Sequence, residues 1–232
     1  MRVLGLIGGM SWESTELYYR AINQAVSQRL GGLHSAALLL SSVDFAELES
    51  LLRADAWDDI GVRLAGEAKR LEQAGADALV LCTNTMHRLA PAIDAAVSIP
   101  LLHIADATAA DLKRNMTIKR VGLLGTRFTM EADFYVAHLR DRHHFEVLVP
   151  AIEERREVDR IIFEELCRGS VTDSAQHYYK QVIASLVDRG AQAVILGCTE
   201  IGMLISATDA SVPLVDTMQV HSSAAVEFAL NG

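Results

Sequence analysis

The second half of this chain repeats the order of the first, and that repeat constrains the fold more than any single motif. "RVLGLIGG" (2–9) returns as "RVGLLGT" (120–126), so Gly5 and Gly8 reappear 117 positions on as Gly122 and Gly125. "ELYYRAI" (16–22) resembles "DFYVAHL" (133–139) at the same offset. "EAKRLEQAGADALVLCTNT" (67–85) lines up with "VIASLVDRGAQAVILGCTE" (182–200), their glycines 115 residues apart. The exits agree too, "IPLLHIAD" (99–106) against "VPLVDTMQ" (212–219). One such match is common among α/β proteins; four in one order, at offsets of 113 to 117, indicate two similar lobes.

Apolar runs alternate with amphipathic stretches. Strands are predicted over 2–9, 35–45 and 76–83, and helices over 14–30 and 57–75. Ser11 or Ser14 would cap the first helix, and Gly31 and Gly32 would stop it. Short apolar runs between helices argue for parallel sheets covered on both faces. The predicted fold is therefore α/β, with two pseudo-twofold-related lobes of mostly parallel sheet flanked by helices and an active-site cleft between them. The first lobe takes 1–97 plus 212–232 and the second 98–211, with crossovers near 97–118 and 208–216. The C-terminal "QVHSSAAVEFALNG" is predicted to be a helix that returns to the first lobe.

The bulk properties exclude several partners. A net charge of −9 with no basic stripe argues against nucleic acid. No apolar run reaches the roughly 18 residues of a membrane span, and "MRVLGLIGGM" lacks a signal-like h-region, so a cytoplasmic protein is expected. Three widely spaced cysteines, Cys82, Cys167 and Cys198, cannot all pair within one chain and lack the CxxC spacing of a zinc or redox site. They read as free thiols.

Cys82 and Cys198 stand at equivalent strand ends in the two lobes, where parallel sheets place ligands. Two thiols reaching one carbon from opposite sides suit inversion: one removes a proton, and the other returns a proton to the other face. A cysteine pKa of about 8.5 lets thiol and thiolate interchange near neutrality. The weakly acidic Cα–H also demands prearranged donors, for which Thr83, Asn84, Thr85 and Thr199 are placed. The turn after the first strand (Gly5, Gly8, Gly9) is not G-x-G-x-x-G; it reads as a tight turn or a backbone cradle for a carboxylate, with "GTRFT" (125–129) and its Arg127 as the counterpart. His87 reads equally as a structural residue or one that tunes Cys82. Trp12 is a candidate shield against water, and Cys167, without a counterpart, a packing or surface residue.

The motifs "GLIGGMSWEST" (5–15), "SVDF" (42–45), "CTNTMH" (82–87), "GTRFTM" (125–130) and "GCTEIG" (197–202) together resemble the aspartate/glutamate racemase family, which works without pyridoxal phosphate. The resemblance covers nearly the whole chain. It implies a two-base mechanism through both cysteines, no metal or cofactor, an amino-acid substrate with dicarboxylic ones preferred, and a homodimer. It further implies that Cys82 serves the α-proton of the D-enantiomer and Cys198 that of the L-enantiomer. By the same resemblance Met10 and Ser11 border the pocket, Thr83, Asn84 and Thr85 line it, and Thr126 and Thr129 face them. Thr199 and Glu200 would orient the substrate ammonium, and Arg53 would grip a carboxylate. The chain departs from the family where many aspartate racemases carry a lysine: none lies between Lys119 and Lys180, and Cys167 and Arg168 occupy that neighbourhood. Arg53 or Arg168 could compensate, or the pocket could accept neutral side chains such as that of homoserine. A non-catalytic small-acid binding protein is the alternative from another class.

Overall fold

The computed structural model describes residues 1–231. The chain divides into two compact units, Met1–His103 with His221–Gly232, and Ile104–Val220. Each is built around one wholly parallel sheet.

In the first unit β1 (Leu4–Gly8) leads through a glycine turn into α1 (Trp12–Leu30), followed by β2 (Leu38–Ser42), α2 (Phe45–Arg53), α3 (Trp57–Gln73) and β3 (Ala78–Leu81). A 3-10 turn (Thr85–Leu89) and α4 (Ala90–Asp94) follow. The strand order is β2-β1-β3, and every residue of β1 and β3 is buried. Of the two predicted caps Ser11 is the one used, its Oγ accepting from the Ser14 amide at 3.3 Å. Gly31 and Gly32 end α1 with φ of 74° and 57°, a region that favours glycine. Helix α2 was not foreseen. Its signal was present, since Asp44 caps it by accepting from the Ala46 amide at 3.0 Å, and this shortens the expected 35–45 strand.

The second unit comprises α5 (Ile104–Lys113), β4 (Arg120–Leu124), the short α6 (Arg127–Glu131) and α7 (Asp133–Ala137), β5 (Glu146–Leu148), α8 (Ile152–Glu164), α9 (Asp173–Asp188), β6 (Ala193–Leu196), α10 (Ile201–Leu204) and β7 (Leu214–Asp216). The order is β5-β4-β6-β7. Strand alternation explains why helices cover both faces. Val194 and Leu196 enter one core with Ile161 and Ile162 of α8 and Leu186 of α9, while Ala193 and Ile195 enter the other with Ala109 of α5 and Tyr135 of α7. Burying one such aliphatic side chain is worth about 1.5–3 kcal/mol, and both faces contribute. The last helix, α11 (Thr217–Asn231), contains the division between units. Its later part packs in the first unit, where Arg29 pairs with Glu227 and the Arg2 amide donates to Ala229 O at 2.9 Å.

The repeat is visible atom by atom. A Cβ on Gly5 would meet Leu71 of α3 at 3.2 Å, and one on Gly122 would meet Leu186 of α9 at 3.0 Å, so each strand glycine admits the matching helix. Leu79 N donates to Pro100 O and Val194 N to Pro213 O, both at 2.9 Å. The boundaries differ from those expected: 98–103 belong to the first unit and 212–220 to the second. The reason is pairing. Leu101 bridges Leu79 of the first sheet, whereas Leu214–Asp216 add a fourth strand to the second sheet beside β6.

Candidate functional site

Two clusters of buried polar residues form, one in each unit, both at the carboxyl end of a strand. In the first unit Cys82 is the residue directly after β3, and its amide extends the ladder by donating to Ile7 O at 2.9 Å. Its Sγ lies 3.7 Å from Val80 O, and burial pushes the thiol pKa well up. The N-terminus of α1 abuts this strand end, with Ser14 Oγ donating to Cys82 O at 3.5 Å. A Cβ on Gly8 would fall 2.7 Å from Thr15 Oγ1, and the Gly9 amide donates to that same oxygen at 2.8 Å. The glycine turn thus lets α1 begin against β1, and the Gly9 amide already has a protein acceptor. Met10, Ser11, Thr83, Asn84 and Thr85 are all buried.

Behind the Cys82 loop sits a histidine cluster. His87 Nδ1 donates to Thr83 O at 2.7 Å, and its ring centroid lies 4.6 Å from that of His103 and 5.7 Å from that of His221. His221 Nε2 donates to Leu102 O at 2.7 Å, leaving Nδ1 to accept from the Tyr18 hydroxyl at 2.9 Å. Burial lowers both pKa values: that of His87 well below its ordinary value, with the neighbouring His103 and His221 adding to the effect, and that of His221 to about 4. His87 is therefore a neutral side chain that braces the loop through Thr83. Sequence reasoning missed His221 and Tyr18, because a contact 203 residues apart leaves no local signal.

In the second unit Gly197 intervenes between β6 and Cys198. Its amide donates to Leu124 O at 2.6 Å, the ladder position that Cys82 fills in the first unit. The strands are equivalent, as expected, but the two thiols are one residue out of register. A Cβ on Gly197 would meet Leu124 O and Leu123 Cδ1 at 2.8 Å, so the site takes glycine. Cys198 Sγ donates to Glu200 Oε2 at 3.0 Å and Thr199 Oγ1 donates to the same oxygen at 2.7 Å. Burial, then the Glu200 carboxylate, raise the Cys198 pKa well above its ordinary value. Thr126 caps α6 and lies 3.2 Å from Thr129 Oγ1, both residues being buried. Cys167, read from sequence as packing or surface, is half-buried against this core with Sγ 3.8 Å from Glu200 Oε1.

Three predicted side chains lie outside these clusters. Arg53 ends α2 exposed and ion-paired with Glu49 of its own helix, Arg168 is exposed, and Trp12 is 66% exposed. The Arg127 amide donates to Asp159 at 2.6 Å.

The family model for Asp/Glu/Hydantoin racemases matches residues 7–225. A crystal structure of a candidate Asp/Glu racemase from Yersinia pestis is 51% identical, with a TM-score of 0.92 over 99% of this chain and 100% of that one. An aspartate racemase homologue from Pyrococcus horikoshii OT3 is 33% identical, with a TM-score of 0.83 over 99% of both chains. The broad specificity amino-acid racemase RacX of Bacillus subtilis (strain 168) is 22% identical over 162 residues, 69% of this chain and 68% of that protein. Among the described residues no helix is long and apolar enough to cross a membrane. With a family model matching most of its length and a 51% identical structure covering 99% of it, this chain belongs to the Asp/Glu/Hydantoin racemase family.

Proposed function

We propose that this protein interconverts L- and D-aspartate and L- and D-glutamate without a cofactor, with Cys82 and Cys198 as its two proton-transfer groups. The observation that carries the reading is the placement of one buried cysteine, followed by threonine, at the carboxyl end of the matching strand in each unit. A thiolate takes the Cα proton and the other cysteine supplies a proton to the opposite face. Cys82 acts on the D-enantiomer and Cys198 on the L-enantiomer. Both thiols are raised by burial, so each is a proton donor until a neighbour accepts its proton. The developing carbanion charge needs donors held in place, and the buried hydroxyls and amide of Ser11, Thr83, Asn84, Thr85, Thr126, Thr129 and Thr199 are suited to that task. Met10 supplies an apolar wall. Arg53 or Arg168, each exposed on its own element, is the cation assigned to the side-chain carboxylate in place of a lysine. Activity in the form of a homodimer also belongs to this reading.

Incubation of each enantiomer in D2O, followed by chiral chromatography and mass spectrometry, tests it. Deuterium at Cα in the product of both aspartate and glutamate is expected, with Cys82→Ala and Cys198→Ala each retaining ligand binding but losing turnover. Binding without any exchange would make the protein a small-acid sensor instead. A second reading, racemisation of neutral amino acids, is favoured by the likeness to RacX and by the absence of lysine between 119 and 180. Homoserine exchange far faster than that of both acidic substrates would establish it.

A further inference from the structure

Glu200 was assigned above, from family resemblance, to the substrate ammonium. Its surroundings indicate another task. The carboxylate is 2% exposed and is met by three side-chain donors: Cys198 Sγ at 3.0 Å, Thr199 Oγ1 at 2.7 Å and, on its other oxygen, Cys167 Sγ at 3.8 Å. Two of these donors share Oε2, so the oxygen facing the Cys198 thiol is fixed by a second hydrogen bond rather than left to rotate toward a ligand. We infer that Glu200 and Cys198 hold one proton between them, making Glu200 the positioning residue that lets Cys198 alternate between acid and base. This rests on the reading of Cys198 as a proton-transfer group.

The chemistry balances within the pair. As the Cys198 S–H bond breaks, an O–H bond forms on Glu200, and one negative charge moves from carboxylate to sulfur. The pair carries the same net charge before and after, so the buried site gains no ion and needs no solvent proton. The Cys82 thiol has no carboxylate among the groups that set its pKa, burial alone raising it.

The other titratable groups around the pair come from the elements packed against it. Cys167 reaches it from the turn after α8, and Tyr179 from α9. Tyr179 donates its hydroxyl to Val158 O at 3.1 Å and stays neutral, raised by burial and by Cys198, Asp159, Cys167 and Glu200. Asp159 of α8 is engaged by the Arg127 amide at 2.6 Å.

A shared proton has a signature that a structural hydrogen bond lacks. While the pair holds one proton, the fraction with the proton on Glu200 does not depend on pH. The test is iodoacetamide labelling of the intact protein from pH 5.5 to 9, with mass spectrometry resolving the rate at each cysteine. For Cys198 a plateau is expected from about pH 6 to 8, changing less than about twofold, whereas Cys82 should gain about tenfold per unit. In Glu200→Gln the plateau should vanish and the Cys198 rate should follow the same tenfold slope. A wild-type Cys198 rate rising tenfold per unit through that range overturns the inference, as does the absence of labelling at Cys198 throughout. Because the wild-type profile decides alone, a poorly folding variant does not blunt the test. Racemase assays on the same samples separate the two claims: a plateau without turnover upholds the shared proton and defeats the proposed function.

Discussion

Cys82 continues the ladder of β3 through its own amide, whereas at the end of β6 Gly197 takes that place and Cys198 follows. The surroundings diverge from there. Cys82 has a backbone carbonyl beside its sulfur and a neutral histidine bracing its loop, and Cys198 has a buried carboxylate 3.0 Å away. The elements entering each cluster differ as well: the 19-residue α1 in the first unit, and the five-residue α6 in the second. Duplicated backbones therefore supply two similar strand ends and leave the protonation of each thiol to its neighbours. An enzyme that works on two enantiomers of one substrate needs both features.

The largest effect that could break this comparison is loss of either thiol. Cys82→Ala and Cys198→Ala should each lower kcat/KM by about 10³-fold or more, measured by polarimetry on both aspartate enantiomers, because residues acting as a unit are not additive. If either variant keeps wild-type turnover, the two half-sites do not act together.

Gly197→Ala addresses the register shift. The new Cβ would press on Leu124 O, a backbone atom that cannot step aside, so a loss of about 2–3 kcal/mol in urea unfolding is expected. Racemisation should fall with it, since Cys198 hangs from that residue. Unchanged stability and rate would mean that the glycine is incidental.

The histidine cluster distinguishes the first unit by its acid response. His221 titrates at about 4 in the fold, against about 6.5 when unfolded, so the folded state favours the neutral ring. Its stabilisation is complete above pH 6.5 and is lost as pH falls toward 4, about 3 kcal/mol in all, with His87 acting in the same direction. Denaturant midpoints at pH 7 and pH 4.5 check this, and His221→Asn should flatten the dependence. A variant as acid-sensitive as wild type would remove the cluster from the account.

The smallest expected difference is between the two caps. Ser11→Ala should cost about 1 kcal/mol, because it frees the start of α1, and Thr126→Ala should cost less, because α6 is a single short turn of helix. Thermal melts of the two variants rank them; a larger loss for Thr126 would give the second cluster the more rigid entry.

Much of the fold was legible because the periodicity is local. The alternation of buried strands and amphipathic helices, the repeated glycines within the strands and the glycine stop after α1 are short-range patterns. The exits 99–106 and 212–219 were recognisably alike, yet only the pairing of Leu214–Asp216 with β6 gave the second sheet its fourth strand and moved the boundary beyond 211. Within the candidate site, the cysteines and the threonines after them were readable as residue types in a repeated context. Cys167 was not, since it has no counterpart in the first half and reaches Glu200 across 33 residues.

The sequence by itself determined the duplicated α/β plan and the two strand ends that carry sulfur, since propensity and apolar spacing act over a few residues. Glu200 lies only two residues from Cys198, but tertiary structure alone decided how deeply each sulfur is buried and which distant groups brace its surroundings. Hydrogen-bond geometry, burial and the resulting pKa depend on groups that chain order does not bring together, as with Glu200 and Cys167 in one unit and Tyr18 and His221 in the other.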